Sequence, residues 1–146
     1  MMGCESIVQV LLSSIERADR YGEKTYMLEA RIDNLNGLKQ QMGEETFKQF
    51  YMAFVDTFKR IRRQSDLFGR MTEDRMVIIM QRPISDREPV DATARMHLSL
   101  DRFIKTATQF EQYPISVSMQ TLCIPSGSIV ATHFIENGAA LTTRSA

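Results

Sequence analysis

Apolar residues follow two different periods along this chain of 146 residues, and the two periods alternate. Steps of three and four residues, typical of amphipathic helices, predict helices over 5–21, 44–62 and 91–110. Shorter runs with the character of strands cover 25–33, 67–69, 76–80 and 113–124. Because helices interleave with strands, the pattern predicts an α+β fold in which helices pack on a central sheet.

Composition restricts the functions that are open to the chain. Its 18 basic and 18 acidic residues cancel, so no basic field favours binding to duplex nucleic acid. Cys4 and Cys123 lie far apart without metal-ligand spacing, which favours a reducing, cytoplasmic compartment. No run reaches the ~20 apolar residues of a membrane span, and the first residues do not resemble a signal peptide. We therefore expect one cytoplasmic domain over 1–146.

No set of catalytic side chains is readable from the sequence. His97 and His133 are isolated, and neither a Ser/His/Asp nor a Cys/His arrangement occurs. Asp33 and Asp74 stand apart, which does not support a pair of acid and base carboxylates. The residue types alone therefore predict no enzymatic chemistry.

The stretch RQSDLFGRMTEDRMVIIM, residues 63–80, places a polar tip at 72–75 between two strand-like runs. It opens with Arg63 and Asp66, spaced as Arg-x-x-Asp. An arginine fork suits phosphate oxygens or a guanine edge, and a nearby carboxylate suits the donors of guanine. The same spacing also arises at the end of a helix, where arginine complements the dipole and aspartate favours the turn. Both interpretations stand on the residues alone.

These residues, in this order of elements, resemble the GGDEF domain family, which has the diguanylate cyclase fold. The family's run of RxxD, R-aromatic, GGDEF and an apolar strand falls without a gap on 63–66, 70–71, 72–76 and 77–80. Its first-strand pattern D-x-D-x-F-K-x-x-N-D-x-x-G falls on 31–43, and its strand that ends in S-x-G falls on 116–120. The resemblance covers roughly 10–124. It implies a mainly antiparallel sheet of about five strands flanked by helices, similar to the palm of adenylyl cyclases.

The family's catalytic letters are mostly replaced in this chain. Cyclases of this kind hold two divalent cations with carboxylates from the first strand and the hairpin. The resemblance implies a degenerate active site without catalytic residues, metal or other cofactor, at Arg31, Asp33, Thr72, Glu73, Asp74 and Arg75. The positions of the guanine-contacting Asn and Asp are Lys39 and Gln40. We expect Arg31 to pair with Asp74, and Arg75 with Asp33, in place of the metal.

The retained RxxD implies a binding function in bacterial signal transduction. In the family this motif is an inhibitory site for cyclic di-GMP, commonly completed by an arginine from the following helix. The expected ligand site is therefore Arg63, Asp66 and Arg95. The alternative is a nucleotide-independent module for protein–protein interaction or dimerisation, which needs an exposed apolar patch.

Both ends of the chain carry an expectation of their own. The helix over 5–21 either caps the sheet or is the end of a signalling helix from an upstream domain, since freestanding domains of this family are unusual. Near the other end, Gly138–Leu141 is the remnant of the family's last helix, which is truncated or absent.

Overall fold

The computed structural model describes residues 2–83 and 85–124. Its elements follow the predicted order of helices and strands. They are α1 Cys4–Tyr21, β1 Thr25–Ile32, α2 Leu35–Lys59, β2 Leu67–Thr72, β3 Arg75–Gln81, α3 Arg87–Thr106, a 3-10 turn Thr108–Phe110, and β4 Val117–Ile124. The expected α+β class is confirmed. The expectations for 126–141, including the remnant helix, and for His133 fall outside the described residues.

The described strands form one antiparallel sheet in the order β2-β3-β1-β4. They number four over 2–83 and 85–124, against the five or so expected. In the centre, β1 pairs along its length with β3 on one side and β4 on the other, so that Leu28 lies opposite both Ile78 and Thr121. This double pairing explains why β1 is buried at most positions.

Opposite faces of β1 contribute to two hydrophobic clusters, because successive side chains of a strand point to opposite sides. Leu28, Ala30 and Ile32 pack with the aromatic residues of α2 and with α3. On the other face, Met27 packs with Val77, Ile79 and the residues Ile7, Leu11 and Ala18 of α1. Helix α1 therefore caps the sheet, one of the two roles expected for 5–21.

Helix α2 is longer than the 44–62 predicted. It begins at Leu35, and Gly43, with φ 80° and ψ 169°, joins two helical segments across a kink. An L side chain rarely adopts that backbone conformation, so glycine allows the chain to turn there without strain. Beyond the kink, Phe50, Phe54 and Phe58 are fully buried at the predicted spacing.

Helix α3 covers Arg87–Thr106 rather than 91–110, and its predicted apolar face is buried only in its second half. Leu100 is buried and Phe103 packs against the core, as the spacing predicts. In the first half Ala92 and Met96 face the core, whereas Ala94 and Leu98, which the spacing also predicts as buried, are exposed. Residues 94 and 98 lie two positions from Met96, which places them about 200° around the helix. The apolar spacing allowed either stripe, and packing against the sheet selects the one with the larger side chains.

Met2, two residues before α1, hydrogen bonds to the edge strand β2. The backbone N–H of Met2 donates to the carbonyl of Phe68 at 3.1 Å, and the N–H of Arg70 donates to the carbonyl of Met2 at 2.8 Å. Gly69 lies between these two bonds under Ile7. A Cβ at Gly69 would lie 2.5 Å from Ile7 Cδ1 and 2.9 Å from the Met2 carbonyl oxygen. The absence of a side chain at Gly69 thus lets α1 dock closely.

None of the helices described in the structure combines the length and the apolar character needed to cross a lipid bilayer.

We predict that Gly69→Ala lowers the free energy of unfolding by about 1–3 kcal/mol, because the new methyl group overpacks the contact with Ile7 and Met2. Gly37→Ala is the matched control. A Cβ at Gly37 meets nothing within 4 Å, so this variant is expected to be unchanged or up to ~1 kcal/mol more stable. Urea unfolding of both variants measures the difference. Equal stability of the two would contradict the close docking of α1.

Candidate functional site

The hairpin tip Glu73-Asp74 lies beside the end of β1 and the middle of α2. The backbone N–H of Ile32 donates to the Asp74 carbonyl at 2.8 Å. From α2, the Tyr51 hydroxyl donates to the Glu73 carbonyl at 2.6 Å. These contacts bring the six expected active-site positions, Arg31, Asp33 and 72–75, to one end of the sheet. The resemblance predicted this grouping, and the register of the sheet explains it.

Arg31 and Arg75 are direct partners in the β1–β3 register, so two like charges lie side by side. Such a pair is unfavourable unless carboxylates compensate it. Arg31 Nε lies 3.6 Å from Asp74 Oδ2, as expected. Arg75 Nε lies 3.7 Å from Glu29 Oε2, and these two side chains are only 4% and 3% exposed. Each arginine at the hairpin tip thus lies next to a carboxylate, Arg31 beside Asp74 and Arg75 beside Glu29.

The expected pairing of Arg75 with Asp33 is wrong. Strand β1 ends at Ile32, and the chain then turns towards β4, where the N–H of Asp33 donates to the Ser116 carbonyl at 2.8 Å. Asp33 Oδ2 accepts hydrogen bonds from the hydroxyls of Ser116 at 3.1 Å and Ser118 at 2.7 Å. Glu29, four residues earlier on β1, is the carboxylate that reaches Arg75.

Burial raises the pKa of Glu29 above its ordinary value of 4.5, and the nearby Arg75 opposes that shift. The side-chain amide of Gln120 also donates to Glu29 Oε1 at 3.4 Å. Glu29 was not among the residues singled out in the sequence. Its signal is a carboxylate inside the apolar run from Met27 to Ala30, which requires a partner once the strand is buried.

A groove of about 550 Å³ lies between α2 and the hairpin. Lys39 Nζ crosses it to Glu73 Oε1 at 2.6 Å and lies 5.6 Å above the centre of the Phe47 ring. Gln40 is exposed and does not line the groove, although both Lys39 and Gln40 fall on the family's guanine-contacting positions. Among the lining residues that the sequence gave no reason to select are Lys48 and Met52.

The Arg63–Asp66 pair lies in the turn between α2 and β2, and its polar atoms are bonded within the protein. Arg63 Nε donates to Asp66 Oδ1 at 2.8 Å, and the backbone N–H of Arg63 donates to Asp66 Oδ2 at 2.8 Å. Arg63 Nη1 donates to Glu88 Oε1 of α3 at 2.9 Å. The Asp66 side chain is 1% exposed. The hydrogen bond to Asp66 has the largest effect on the pKa of the Arg63 guanidinium and raises it, and the bond to Glu88 raises it further. The pair therefore joins the end of α2 to the start of α3.

Arg95, the third residue of the expected ligand site, reaches the same turn from α3. Its Nη2 donates to the Ile61 carbonyl at 3.3 Å, two residues before Arg63. The residue is exposed. The structure thus brings Arg63, Asp66 and Arg95 to one region, in which Asp66 is buried and Arg95 is exposed to solvent.

Over 2–83 and 85–124, no three His, Cys, Asp or Glu side chains converge as they would around a metal ion.

We predict that Arg63→Ala lowers the free energy of unfolding by about 2–3 kcal/mol, because it leaves the buried Asp66 carboxylate without its cation. Arg60→Ala, which removes an exposed arginine at the end of the same helix, is the control and is expected to cost about 0.5 kcal/mol or less. Thermal and urea unfolding compare the two. Equal effects would show that Asp66 does not depend on the Arg63 guanidinium.

We predict that Glu29 makes the stability depend on pH with a negative slope. A carboxyl whose pKa is raised on folding stabilises the protein below 4.5, and this contribution is lost as the pH rises through the raised value. Glu29→Gln keeps a neutral group, so its stability relative to wild type should increase between about pH 4 and pH 8. Urea unfolding across that range measures the difference, with exposed Glu45→Gln as the baseline. A constant difference for Glu29→Gln would contradict the raised pKa.

Comparison with known proteins agrees with the fold. The family profile described as "Diguanylate cyclase, GGDEF domain" matches residues 5–141. No curated protein matches the chain in sequence.

Several solved GGDEF-domain structures superimpose on the chain at low sequence identity. The GGDEF domain of PA1120 (YfiN or TpbB) from Pseudomonas aeruginosa is 13% identical, covers 100% of this chain and 94% of its own, and gives a TM-score of 0.70. The GGDEF domain of DgcB from Caulobacter crescentus, in complex with c-di-GMP, is also 13% identical, with 99% and 88% covered and a TM-score of 0.71.

Diguanylate cyclase SiaD in complex with its activator SiaC, from Pseudomonas aeruginosa, is 12% identical. The match covers 97% of this chain and 56% of SiaD, with a TM-score of 0.68. At these identities the structures establish the fold alone. The profile match covers most of the sequence, and the chain therefore belongs to the GGDEF domain family.

Proposed function

We propose that this GGDEF domain does not synthesise cyclic di-GMP and acts in signalling by binding. The observation that carries the proposal is the pair Arg31 and Arg75, which lie opposite each other on β1 and β3. The resemblance to the family aligns these two positions with its metal-binding carboxylates.

The residues at the tip do not suit the divalent cations that the family uses. A cation there would lie beside two guanidinium groups, one of them buried with Glu29. Mg²⁺ prefers carboxylates that are available for direct contact. Here Asp33 Oδ2 accepts hydrogen bonds from two serine hydroxyls, and Asp74 accepts a hydrogen bond from Thr72 and lies beside Arg31. Metal binding would have to break these interactions. No step of a cyclase reaction is therefore assigned to these residues.

The residues at the hairpin tip also do not suit the phosphates of a nucleotide substrate. Glycine at the first two signature positions would let a phosphate approach the backbone, whereas this chain has Thr72 and Glu73. The Glu73 carboxylate adds negative charge and holds Lys39 in an ion pair. A nucleotide triphosphate would meet a carboxylate there.

We predict that the full chain, incubated with GTP and Mg²⁺ or Mn²⁺, forms no cyclic di-GMP detectable by liquid chromatography and mass spectrometry. An active diguanylate cyclase assayed in parallel controls for the conditions. We also expect about 10 mM Mg²⁺ to leave the melting temperature unchanged, because a cation that does not bind the folded state does not stabilise it. Product formation by the wild type that disappears in Asp74→Ala would overturn the proposal.

Cyclic di-GMP is the first ligand proposed for the domain. The RxxD turn and Arg95 lie together, and the DgcB domain was solved in complex with this nucleotide. Because Asp66 is buried and bonded to Arg63, we assign it the role of orienting Arg63. The nucleotide would then contact Arg63 and Arg95, whose planar groups suit phosphates and guanine edges. Glu88 competes for Arg63 in the free protein.

We predict that calorimetric titration gives a micromolar affinity for cyclic di-GMP, about −8 kcal/mol. Arg95→Ala should weaken it about tenfold or more, since it removes a charged contact without disturbing the core. Lys105→Ala removes an exposed cation elsewhere on α3 and should leave affinity unchanged. Glu88→Gln should strengthen binding, because it removes the charge that competes for Arg63. Absence of heat with folded wild type at a fixed salt concentration would reject the receptor function.

A second candidate function, a nucleotide-independent interaction module, is favoured by the outer face of α3. Val90 and Leu98 are 66% and 59% exposed there and lie on one side of the helix, so they form an apolar surface that is available to a partner. SiaD, solved with its activator SiaC, is a family member that binds another protein. This face of α3 therefore supports a protein partner for the chain.

A further inference from the structure

We propose that the outer face of α3 pairs with α3 of a second copy of this chain, antiparallel and centred on Ala94. The inference rests on the interaction-module function and names its partner. It does not depend on cyclic di-GMP.

The apolar part of the face is a stripe along the helix. Val90, Ala94 and Leu98 are spaced by four residues, so they lie one above the other on the solvent side. The residues that anchor α3 to the core, Ala92, Met96 and Leu100, lie on the opposite side. The stripe is therefore available to a partner without unfolding or moving the helix.

The stripe is symmetric about its centre. In an antiparallel pair with a two-fold axis at Ala94, residues equally distant from Ala94 meet across the interface. Val90 then meets Leu98 of the second copy, and the symmetry repeats that contact. Ala94 meets its own counterpart, and its small side chain allows the two helices to approach closely. Six apolar side chains leave water in this arrangement.

The charges on the same face follow the same symmetry. Arg87 and Asp101 are both exposed, and each lies seven residues from Ala94, on opposite sides. In the antiparallel arrangement, Arg87 of one copy meets Asp101 of the other, twice per dimer. A parallel arrangement would place Arg87 beside Arg87 and Asp101 beside Asp101, which is repulsive. Antiparallel helix dipoles also favour the proposed direction. The surface is thus complementary to itself in one orientation.

The size of the face sets the expected strength. Helix α3 has 20 residues and is about 30 Å long. One helix pair buries less than the ~1,200 Å² of a standard stable interface, so a weak, reversible dimer is expected. Association in the range of about 10 µM to 1 mM fits such an interface.

The test is sedimentation equilibrium of the full chain across that concentration range, without nucleotide. Wild type should show a monomer–dimer equilibrium, and Leu98→Glu should be monomeric throughout. Asp101→Arg, which sets two arginines against each other, should weaken association about tenfold or more, and Arg87→Asp should do the same. The double variant Arg87→Asp/Asp101→Arg reverses both charges and should restore association to within about threefold of wild type.

A control variant changes an exposed apolar residue on the opposite face of the sheet. Leu12 of α1 is 48% exposed, and Leu12→Glu should associate as the wild type does. Circular dichroism establishes that each variant is folded. Monomeric wild type at all concentrations, association that survives Leu98→Glu, or failure of the double charge reversal to restore it would overturn the proposal. Because no nucleotide is present, these outcomes are separate from the titration with cyclic di-GMP.

Discussion

The pairing of β1 with two strands at once is the constraint on which the rest of this structure depends. Its neighbours β3 and β4 satisfy its backbone on both sides, so every side chain of β1 must lie on one of two covered faces. Leu28, Ala30 and Ile32 fill the cluster beneath α2 and α3, and Met27 fills the one beneath α1. The same register places Arg31 opposite Arg75. The two arginines that carry the proposal against cyclase activity are therefore placed by the strand that also organises the core.

Much of the fold could be predicted from the sequence, because apolar periodicity records which face of each element is buried. The period found α1, the second half of α2 and the strands that surround the hairpin. It left 34–38 open between a turn and the start of a short helix, because Gly37 and Gly43 interrupt the segment in which α2 begins. On α3 two apolar stripes compete, and only contact with the sheet shows that Met96 faces inward and Leu98 outward. Spacing alone carries no information about that choice.

The sequence predicted where the candidate site lies better than it predicted which residues contact each other there. The motif spacing located the hairpin and the Arg63–Asp66 turn. The partners of those residues come from distant parts of the chain: Glu88 reaches Arg63 from α3, and Glu29 rather than Asp33 reaches Arg75. A carboxylate within an apolar strand was a readable sign that Glu29 needs a partner. The direction in which the chain leaves β1, which takes Asp33 to Ser116 and Ser118, depends on the tertiary structure.

The two backbone hydrogen bonds of Met2 have a consequence for how the sheet meets other chains. Strand β2 lies at an edge, and an edge strand with unpaired N–H and carbonyl groups is a template for aggregation. Met2 uses the Phe68 carbonyl and the Arg70 N–H, and it places a single residue in parallel with Gly69. An approaching strand would find those groups occupied and α1 covering them. The short segment before α1 thus protects this edge of the sheet against pairing with a strand of another molecule.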